Sequence, residues 1–480
     1  MIFKDFIKIG KKLVLVALGA FAAYIVFYKL GGFYLENWDE AWYGDIIRNM
    51  MRKKEFIVLY WNRSVLLDKP PFFMWVGALI SSVIGLSEFS IRLPSAFSAL
   101  VIITATTYYC YRSYGLVPSL LGFSSLALNN VFIWRARTGN LDALVSLEIF
   151  LIYFLILSRR KERNYLLGIM FALIYLTKAS LVFFPLGIFV LHELFFRRND
   201  LKKKKESYLL LLLIFVSISC SWLFLGSIKQ GWHFAQYYLF QSDQGAANFV
   251  LSHFNFNYIR YCYYSLQRRF FWVFVMGLFF LITKIKEAKN FLMVAFSTFL
   301  LILVGFGQRD NNWYLIPSMP FWAITVACGT NKFLKIFEKR RIIKYLVVFM
   351  VLALSSYVSY KTYIVNIRSV MTSQTTANQA EVSLYLRRIS KEDDLVVRLD
   401  HLYPTTIYYT DRYVYSSDKS AGTGLFFLSR QDLAEKVKKK EIKWIVGKKT
   451  EIDELTQIPP FTKGQVILTK GDESLLSLPE

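Results

Sequence analysis

The chain has 480 residues, of which 55% are hydrophobic and 18% aromatic, and its formal net charge at pH 7 is +24. Repeated apolar runs of roughly 20 residues predict a polytopic membrane protein and exclude a soluble globular one. Residues 361–480 hold 18 Lys and Arg against 16 Asp and Glu, so the positive charge lies mainly in short loops between apolar runs. Because the positive-inside rule accounts for such loops, nucleic acid is excluded as a partner.

The first apolar run, residues 12–30, follows four lysines and lacks a small-residue cleavage site. This pattern predicts an uncleaved helix rather than a signal peptide. The four cysteines lie far apart along the chain, with no CxxC spacing. Neither a disulfide framework nor a zinc site is therefore expected.

A short polar segment, Trp38-Asp39-Glu40-Ala41-Trp42-Tyr43, comes next. Its carboxylates, Asp39 and Glu40, lie just beyond a predicted membrane helix, where charges are costly and usually serve ions, protons or charged substrates. One carboxylate can take a proton from an acceptor hydroxyl, and the pair can hold a divalent cation. The structural alternative is a favourable carboxylate pair at a helix N-terminus. The aromatic residues around the pair, Tyr43 included, suit a sugar or a lipid.

Residues 40–54 are predicted to form a helix along the membrane surface, because one helical face is apolar and the opposite face is charged. The apolar face holds Ile46, Ile47, Met50 and Met51, and the charged face holds Asp45, Arg48 and Arg52.

Lys69 stands before two prolines, in Asp68-Lys69-Pro70-Pro71. Its ammonium group can neutralise a lipid phosphate while the prolines fix the backbone that carries it. The alternative is an interfacial lysine that snorkels from the start of a helix.

The next apolar run, residues 71–86, is too short to cross a bilayer. Its 16 residues would form a helix of about 24 Å, whereas the hydrocarbon core is about 30 Å thick. If this run is re-entrant or interfacial, the later basic clusters all lie on the cytoplasmic side with the N-terminal lysines. These clusters are at 159–161, 202–205, 284–289 and 339–341. We therefore expect about eleven spanning helices.

With that topology the unusual polar residues collect on the other face of the membrane, so we expect an extracytoplasmic active site. They are Asp39, Glu40, Lys69, Asp142, Lys178, His253, Arg309 and Asp310.

The segment from Trp134 to Asp142 contains two arginines that are unusual in an outer loop unless they meet anionic groups. Asp142 either pairs with Arg135 or Arg137 or serves the site directly. Lys178 interrupts an apolar stretch, and its ammonium group either contacts a lipid phosphate or snorkels to the interface.

Residues 308–317, at the start of another predicted helix, combine Arg309 with Tyr314 and Pro317. A solvated loop explains the charges there but not the tyrosine and proline at the helix start. His253 is a weaker candidate, because a lone histidine among aromatic residues is more often a packing residue than a ligand.

The tail, residues 361–480, has a different pattern of apolar and polar residues from the rest of the chain. A helical pattern at 378–390 is followed by strand-like segments at 395–399, 407–409 and 442–446. Turn residues separate these segments, which predicts a small α/β domain of roughly 110 residues on the outer face. The expected domains are a membrane domain, 1–360, whose outer loop spans 31–91, and this C-terminal domain, 361–480.

In combination, these motifs resemble those of GT-C glycosyltransferases that use polyprenyl-phosphate sugars. The similarity is greatest to lipid A aminoarabinose transferases and related protein mannosyltransferases. The matching elements are Asp39-Glu40-Ala41-x-Tyr43, Lys69-Pro70-Pro71, Arg92-Leu93-Pro94-Ser95, the segment 137–142, Leu176-Thr177-Lys178 and Trp313-Tyr314-Leu315-x-Pro317. They follow one another over residues 35–320 and are specific as a set, although each alone is weak.

The resemblance implies an all-α polytopic membrane domain of the GT-C type, with about 11–13 transmembrane helices, and a small C-terminal α/β domain. It implies that Asp39 is the catalytic or site-organising carboxylate, with Glu40 beside it. Lys69 is the expected ligand of the carrier phosphate, Asp142 the second-loop acid and Tyr314 the site tyrosine.

The other residues expected to bind substrate or phosphate are Tyr43, Arg137, Lys178, His253 and Arg309. A divalent cation, if used, would be held by Asp39 and Asp142. One departure concerns a lysine that many relatives carry shortly before the tyrosine motif. This chain has Arg309-Asp310-Asn311-Asn312 there, and Arg309 is the expected replacement.

The predicted activity is transfer of a sugar from a polyprenyl-phosphate carrier to a lipid A-like glycolipid, a glycan or a protein. The expected location is the bacterial inner membrane, with the active site and C-terminal domain extracytoplasmic. A transporter or flippase of lipid-linked sugars is the alternative; it would need polar residues near mid-membrane and broken helices in corresponding halves. A polysaccharide polymerase or ligase is a closer rival that would lack the ordered motifs.

Overall fold

A computed structural model of the chain describes residues 2–241, 254–307, 309–336, 341–362, 374–418 and 424–479. The chain divides into two compact units. One unit comprises Met1–Leu30, Leu67–Val76 and Arg92–Arg368, and the other comprises Gly31–Leu66, Gly77–Ile91 and Ser369–Glu480. The last part of the second unit begins close to the expected boundary at 360. Most of the predicted outer loop, however, groups with the C-terminal residues rather than with the membrane helices.

The first unit is helical. In chain order, the helices up to residue 362 are α1 (Ile2–Phe27), α2 (Asp39–Lys53), α3 (Phe72–Ile84), α4 (Glu88–Tyr114), α5 (Leu116–Ala127), α6 (Asn130–Arg137), α7 (Leu141–Leu157), α8 (Arg163–Lys178), α9 (Phe183–Phe196), α10 (Arg198–Lys203), α11 (Lys205–Gln230), α12 (His233–Gln236), α13 (Asn257–Ser265), α14 (Arg269–Ile282), α15 (Ala288–Gly305), α16 (Met319–Ile336) and α17 (Arg341–Thr362). Of these, α2, most of α3 and the first turn of α4 belong to the second unit. Two short 3₁₀ turns, Ala179–Val182 and Asn312–Ser318, precede α9 and α16.

Length and composition identify membrane spans among the described residues. Five continuous helical stretches of 18 residues or more are apolar enough to cross a bilayer, or seven if each of two bent helix pairs forms one span. The 13 residues of α3 extend only about 20 Å, less than the hydrocarbon core of about 30 Å. This length agrees with the expectation that the run after Pro71 does not cross, while the total of about eleven spans stays a prediction.

The stretch Arg163–Phe196 is long enough to count as one span by length alone, but it is a hairpin. Arg163, the first residue of α8, forms an ion pair at 2.5 Å with Glu193 near the end of α9. In one continuous helix these residues would lie about 45 Å apart. The two helices are therefore antiparallel and turn at Lys178, in agreement with the two separate apolar runs in the sequence.

Helix α7 runs antiparallel to α8, because Asp142 at its start meets Lys178 and Leu155 near its end accepts a hydrogen bond from Arg163. The helices pack around a core rich in phenylalanine that contains Phe150, Phe171 and Phe296. A polar group therefore lies at each end of the α7–α8 pair, with apolar packing between them.

Helices α14 and α16 approach each other closely through glycine. A Cβ atom added to Gly277 would lie 2.2 Å from the carbonyl oxygen of Thr325, and one added to Gly329 would lie 2.2 Å from that of Val273. Small residues at such crossings let helix backbones come together where lipid offers no hydrophobic drive.

The second unit contains a two-stranded hairpin and a five-stranded sheet. Its strands are β1 (Leu59–Trp61), β2 (Ser64–Leu66), β3 (Leu395–Arg398), β4 (Tyr413–Ser416), β5 (Ile442–Lys448), β6 (Gln465–Lys470) and β7 (Glu473–Ser477). The sheet order is β4-β3-β5-β7-β6, with β3 parallel to β4 and β5, and β7 antiparallel to β5 and β6. Helices α18 (Gln374–Ile389), α19 (Pro404–Thr410), α20 (Arg430–Lys438) and α21 (Lys449–Leu455) accompany it. The predicted α/β character of the tail is confirmed.

The prediction of a strand at 407–409 is wrong, because these residues lie in α19. Pro404 begins this helix, a position where its fixed φ angle and missing N–H are favourable. Asp411 ends it in the left-handed conformation and the next strand follows at once. The aromatic and β-branched residues that suggested a strand are instead buried on the helix.

The helix predicted along the membrane surface is present as α2, but of the three residues of its charged face Arg52 is exposed and the other two are not. Asp45 and Arg48 are buried, with exposed fractions of 1% and 8%. Arg48 donates to the carbonyl oxygen of Tyr408 at 2.5 Å and pairs with Asp411 at 3.2 Å. The first turns of the polar face of α2 thus pack on the C-terminal part of its own unit, which explains why Asp45 and Arg48 are buried as well as the apolar face.

The β1–β2 hairpin is hydrogen-bonded to strand β4 of the five-stranded sheet. Asn62 and Arg63 form its two-residue turn with φ angles of 48° and 62°, the conformation that hairpin turns of this length favour. The Asn62 side chain donates to the carbonyl of Val414 at 2.8 Å and accepts from its N–H at 2.9 Å. The loop that precedes residue 67 is therefore an integral part of the second unit.

Candidate active site

Asp142 is held at the first turn of α7 by a capping residue. The Asn140 side chain accepts a hydrogen bond from the Asp142 N–H at 2.9 Å and donates to the carbonyl oxygens of Arg135 and Thr138. Ser95, the last residue of Arg92-Leu93-Pro94-Ser95, donates to the Asn140 carbonyl at 2.8 Å. This cap fixes the carboxylate at the helix N-terminus, where a negative charge is favourable.

Two cations contact the Asp142 carboxylate. Arg135 reaches Oδ2 through Nε at 2.7 Å and through a terminal nitrogen at 2.6 Å. Lys178 lies 3.4 Å from Oδ1, and its side chain is 29% exposed whereas that of Asp142 is 5% exposed. Arg135 is therefore committed to the carboxylate, while Lys178 at the hairpin turn stays accessible.

Aromatic rings hold both cations. The Arg135 guanidinium lies 5.4 Å from the ring centre of Trp134 and 5.5 Å from that of Trp313, and the two tryptophans meet edge to face. The Lys178 ammonium lies 4.8 Å from the centre of the Tyr314 ring. Such cation–π contacts restrict the positions of both charges.

Arg309 adds a third cation beside Tyr314. It donates to the Tyr314 hydroxyl at 3.4 Å, and its own carbonyl accepts from the Tyr258 hydroxyl at 2.5 Å. Burial raises the pKa of Tyr314, but the hydrogen bond from Arg309 and the charge of Lys178 outweigh it and lower that pKa. The phenol oxygen thus lies in a positive environment.

The chemistry of this group, here called the Asp142 cluster, follows from its charges. Its members are Arg135, Asp142, Lys178, Arg309 and Tyr314. Three cations and one carboxylate leave an excess of two positive charges beside a half-buried tyrosine. The cluster can accept an anion such as a phosphate, which cations and hydroxyl donors stabilise together.

The cluster does not fit a divalent cation. Both carboxylate oxygens of Asp142 already contact cations, and those charges would repel a metal ion. No group of three or more His, Cys, Asp or Glu able to hold a metal occurs within the described residues.

Arg137, expected to bind substrate, lies on the other side of α6. Its guanidinium donates to the carbonyl oxygens of Ile25, Val26 and Tyr28 at the end of α1, at 2.5, 3.1 and 2.7 Å. Those carbonyls have no further helical N–H to accept, so Arg137 satisfies them and complements the helix dipole. The geometry gives Arg137 a structural contact and gives Arg135 the contact with Asp142.

Lys69 forms an ion pair with its neighbour Asp68 at 3.3 Å, and its side chain is 28% exposed. The Tyr238 hydroxyl donates to the Lys69 carbonyl at 3.1 Å, which anchors the backbone of this segment. The ammonium group is therefore partly accessible and has a weak, partly exposed partner that a stronger anion could replace.

Asp39 and Glu40 begin α2 in the second unit. Glu40 is buried and its carboxylate accepts from the Glu36 N–H at 2.8 Å, a contact that stabilises the helix start. Asp39, beside it, is partly exposed, whereas Tyr43 is buried with 2% exposed. Glu40 therefore has the structural role of a carboxylate at a helix N-terminus. Asp39 is the carboxylate of the pair that solvent can reach.

His253 lies outside the described residues. The sequence pattern singled out Arg137 rather than Arg135 as a site residue, and Trp313 was part of a matching motif but not an expected site residue. The available signals in the sequence were Arg135, two residues before Arg137 on α6, and Trp313, just before α16. The guanidinium of Arg135, in the Asp142 cluster, contacts the ring of Trp313.

A second acid, Glu148, was also missed. It lies on α7 six residues after Asp142 and is 3% exposed. Its Oε1 accepts from the Thr177 hydroxyl at 2.9 Å, directly before Lys178, and its Oε2 has no hydrogen-bond partner among the described residues. A buried carboxyl inside a membrane helix is costly, so this residue is a functional candidate by position.

Comparisons with known sequences agree with the resemblance. A sequence profile of the dolichyl-phosphate-mannose-protein mannosyltransferase family matches residues 68–223. Two uncharacterized proteins of Aquifex aeolicus are 25% and 29% identical over 67% and 68% of this chain. The matches span 64% and 75% of those relatives. A putative mannosyltransferase of Bacillus subtilis, YycA, is 28% identical over 33% of this chain and 24% of its own length.

Comparisons of structure agree for the whole chain. Two crystal structures of ArnT from Cupriavidus metallidurans, one apo and one bound to undecaprenyl phosphate, match with TM-scores of 0.76 and 0.75. Each covers 98% of both chains at 14% identity. The fold is thus the GT-C fold, and the resemblance to polyprenyl-phosphate-dependent enzymes is confirmed. The structural likeness shows the fold of an integral membrane protein, and the mannosyltransferase profile matches about a third of this chain.

Proposed function

We propose that this protein, which has the GT-C fold, is a glycosyltransferase that moves a sugar from a polyprenyl-phosphate carrier to an acceptor of the cell envelope, on the extracytoplasmic face of the bacterial inner membrane. The acceptor is a lipid A-like glycolipid, a glycan or a protein. The observation that carries the proposal is the Asp142 cluster, in which Lys178 and Arg309 meet at Tyr314 while Asp142 is held by Arg135. ArnT, which shares the fold, was crystallised with undecaprenyl phosphate bound.

The charge of the cluster suits the change that the carrier undergoes. A sugar linked to a polyprenyl phosphate is a phosphodiester with one negative charge. When the sugar leaves, the carrier becomes a monoester with a charge of about −1.5 to −2 near pH 7. An excess of two positive charges therefore stabilises the leaving group more than the substrate, which is the condition for catalysis.

In the proposed reaction an acceptor oxygen attacks the anomeric carbon in line with the bond to the phosphate oxygen. The new C–O bond forms as the old one breaks, the configuration inverts, and the electron pair stays on the phosphate. Asp39 takes the proton from an acceptor hydroxyl. Lys69, Lys178 and Arg309 stabilise the departing phosphate, and Tyr314 donates a hydrogen bond to it.

If the acceptor is itself a phosphate, as in lipid A, its oxygen is already ionised and needs little base catalysis. Asp39 then orients the acceptor rather than taking its proton. The two cases differ in the pH dependence of transfer, because only the first requires an ionised Asp39 as a base.

The reaction is tested with purified protein, a synthetic polyprenyl-phosphate sugar labelled in the sugar, and membranes as a source of acceptors. The wild-type protein should transfer the label, and Asp39→Asn should reduce transfer by about 100-fold while the melting temperature is unchanged. Asp453→Asn, an exposed aspartate of the C-terminal region, is the matched control. Label that stays on the carrier with the wild-type protein and every acceptor fraction would contradict the proposal and favour a flippase.

The orientation is tested by cysteine labelling. The described residues include one exposed cysteine, Cys220, whereas Cys110, Cys262 and Cys328 are buried. In a Cys220→Ser background, Asp310→Cys should react with an impermeant reagent added outside, and Lys204→Cys only after the membrane is opened. Labelling of both from the same side would refute the extracytoplasmic placement.

A further inference from the structure

The end of the helical unit remote from Asp142 contains a second polar feature. A cavity of about 790 Å³ lies there. Its lining comes from the loop between α7 and α8, the end of α9 with the segment after it, the start of α11 and the start of α15. These four parts of the chain are far apart in sequence, so the fold builds the cavity.

The lining is strongly basic. Seven Lys or Arg side chains and one Asp contribute to it. Arg163 is paired with Glu193 and Lys204 with Asp200. The other five cations have no carboxylate within ion-pair distance in the part of the chain that the structure describes. They are Arg159, Arg160, Lys161, Arg197 and Lys289.

One wall of the cavity is rigid. Glu193 accepts hydrogen bonds from both terminal nitrogens of Arg163, at 3.2 and 2.5 Å, and from the Tyr208 hydroxyl, and it also contacts His192 Nδ1 at 2.8 Å. The carboxylate is saturated and buried, with 1% of the residue exposed. This network fixes Arg163 in the wall and leaves the remaining cations uncompensated.

The uncompensated positive charge of the cavity lining affects Arg197. It is half-buried and donates to the carbonyl oxygen of Ser158 at 3.2 Å. Burial, followed by repulsion from Arg163, lowers the pKa of Arg197. An anion in the cavity would relieve this repulsion, as arginine–phosphate contacts do elsewhere.

The cavity also has an apolar side. Leu157 and Phe196, the last residues of α7 and α9, line it. Leu194 and Phe195, just before Phe196, are exposed by 51% and 70% and belong to an apolar membrane helix. A ligand with a charged group and attached hydrocarbon matches this combination better than a free ion does.

We propose that this cavity binds the phosphate of an anionic phospholipid headgroup, with the acyl chains along the exposed apolar side of α9. Basic pockets between membrane helices are a known type of headgroup site. The ordinary alternative is a set of solvated basic loops that only follow the positive-inside rule. A cavity built from four separate parts of the chain, with a fixed arginine and a half-buried second arginine, is more than such loops require.

The test measures lipid binding to the delipidated full chain in detergent by native mass spectrometry, titrating phosphatidylglycerol against zwitterionic phosphatidylcholine. The wild-type protein should bind one phosphatidylglycerol in preference to phosphatidylcholine. The cavity variant Arg159→Gln/Arg160→Gln/Arg197→Gln should weaken that binding at least about tenfold more than a control variant that loses the same charge. The control is Lys284→Gln/Lys286→Gln/Lys335→Gln, three exposed lysines outside the cavity lining.

A second arm adds glycerol 3-phosphate or inorganic phosphate as competitor. Competition at low millimolar concentration would show that a soluble phosphate is sufficient and would overturn the lipid as occupant. Equal weakening by the cavity and control variants would overturn the site itself. If the triple variant is not monodisperse, Arg160→Gln/Lys161→Gln replaces it, because both side chains are exposed and outside the fixed wall.

Discussion

The two ends of the α7–α8 pair each contain a buried carboxylate that meets an arginine, yet the surroundings differ. At one end Asp142 contacts Arg135 and the accessible Lys178. At the other end Glu193 accepts from Arg163 and Tyr208 and contacts His192. The first carboxylate organises cations that still face solvent, whereas the second is enclosed by donors.

The difference separates a functional ion pair from a structural one. A buried carboxylate with all its lone pairs satisfied stabilises the packing of α8, α9 and α11 but offers nothing to a substrate. A carboxylate that positions a partly exposed lysine beside a tyrosine leaves a site for another anion. Both ends contain acidic and basic residues in the sequence, so the separation depends on which partners the fold supplies.

The largest effect on stability is expected at the enclosed end. Arg163→Met leaves Glu193 buried without its main cation, and loss of one partner of a buried pair costs about 3–5 kcal/mol. Thermal unfolding in detergent should show a marked loss of stability. The matched variant Arg160→Met, exposed in the same loop, should leave the transition unchanged. An Arg163→Met protein as stable as the wild type would show that the enclosed pair is not structural.

At the open end the larger effect is expected on transfer. Lys178→Gln removes a cation beside the proposed phosphate position, and loss of one preorganised group of this kind lowers the rate by about 100-fold or more. The melting temperature should change little, because Lys178 is partly exposed and Asp142 keeps Arg135. If the stability falls as far as in Arg163→Met, the distinction between the two ends is refuted.

Between the two ends, Glu148 should act on Lys178 through Thr177. Glu148→Gln keeps the acceptor oxygen for the Thr177 hydroxyl but abolishes the second, unpartnered oxygen and the titration. We expect transfer to fall by about tenfold and its pH profile to change, since a buried carboxyl is a candidate proton site. Thr177→Val is the comparison; an unaltered pH profile in Glu148→Gln would leave this carboxyl without a role in the reaction.

An effect of the same size as that of Glu148→Gln is expected for Tyr314→Phe. The ring that holds the Lys178 ammonium remains, and only the hydroxyl beside Arg309 is lost. Loss of one hydrogen bond to a charged group corresponds to a decrease of about tenfold in transfer. Tyr314→Leu removes the ring as well and should be clearly worse. Equal activity of the two variants would show that the cation–π contact does not position Lys178.

The sequence was sufficient for the fold class and for much of the Asp142 cluster. The positions of Asp142, Lys178, Arg309 and Tyr314 near helix ends predicted a common face, and direct contacts join these four. Charge placement in short loops and the shortness of residues 71–86 were the signals. Both depend on transfer energies that the local sequence determines.

The choice between Arg135 and Arg137 could not be made from the sequence. On a helix, residues two positions apart point in directions about 200° apart, so only one of them faces Asp142. Which one does depends on where α1 ends, because its terminal carbonyls take Arg137. Likewise, the tyrosines at 408 and 409 favour a strand by propensity, but Pro404 starts a helix that the packing of α2 stabilises.

Binding of polyprenyl phosphate to the wild-type protein, Lys178→Gln and Lys284→Gln tests the role of the Asp142 cluster most directly. Titration followed by native mass spectrometry gives the dissociation constant for each protein. We expect tight binding by the wild type, binding weakened by about tenfold or more in Lys178→Gln, and no change for the exposed control lysine. Equal affinity of all three proteins for polyprenyl phosphate would contradict the assignment of this cluster as the carrier-phosphate site.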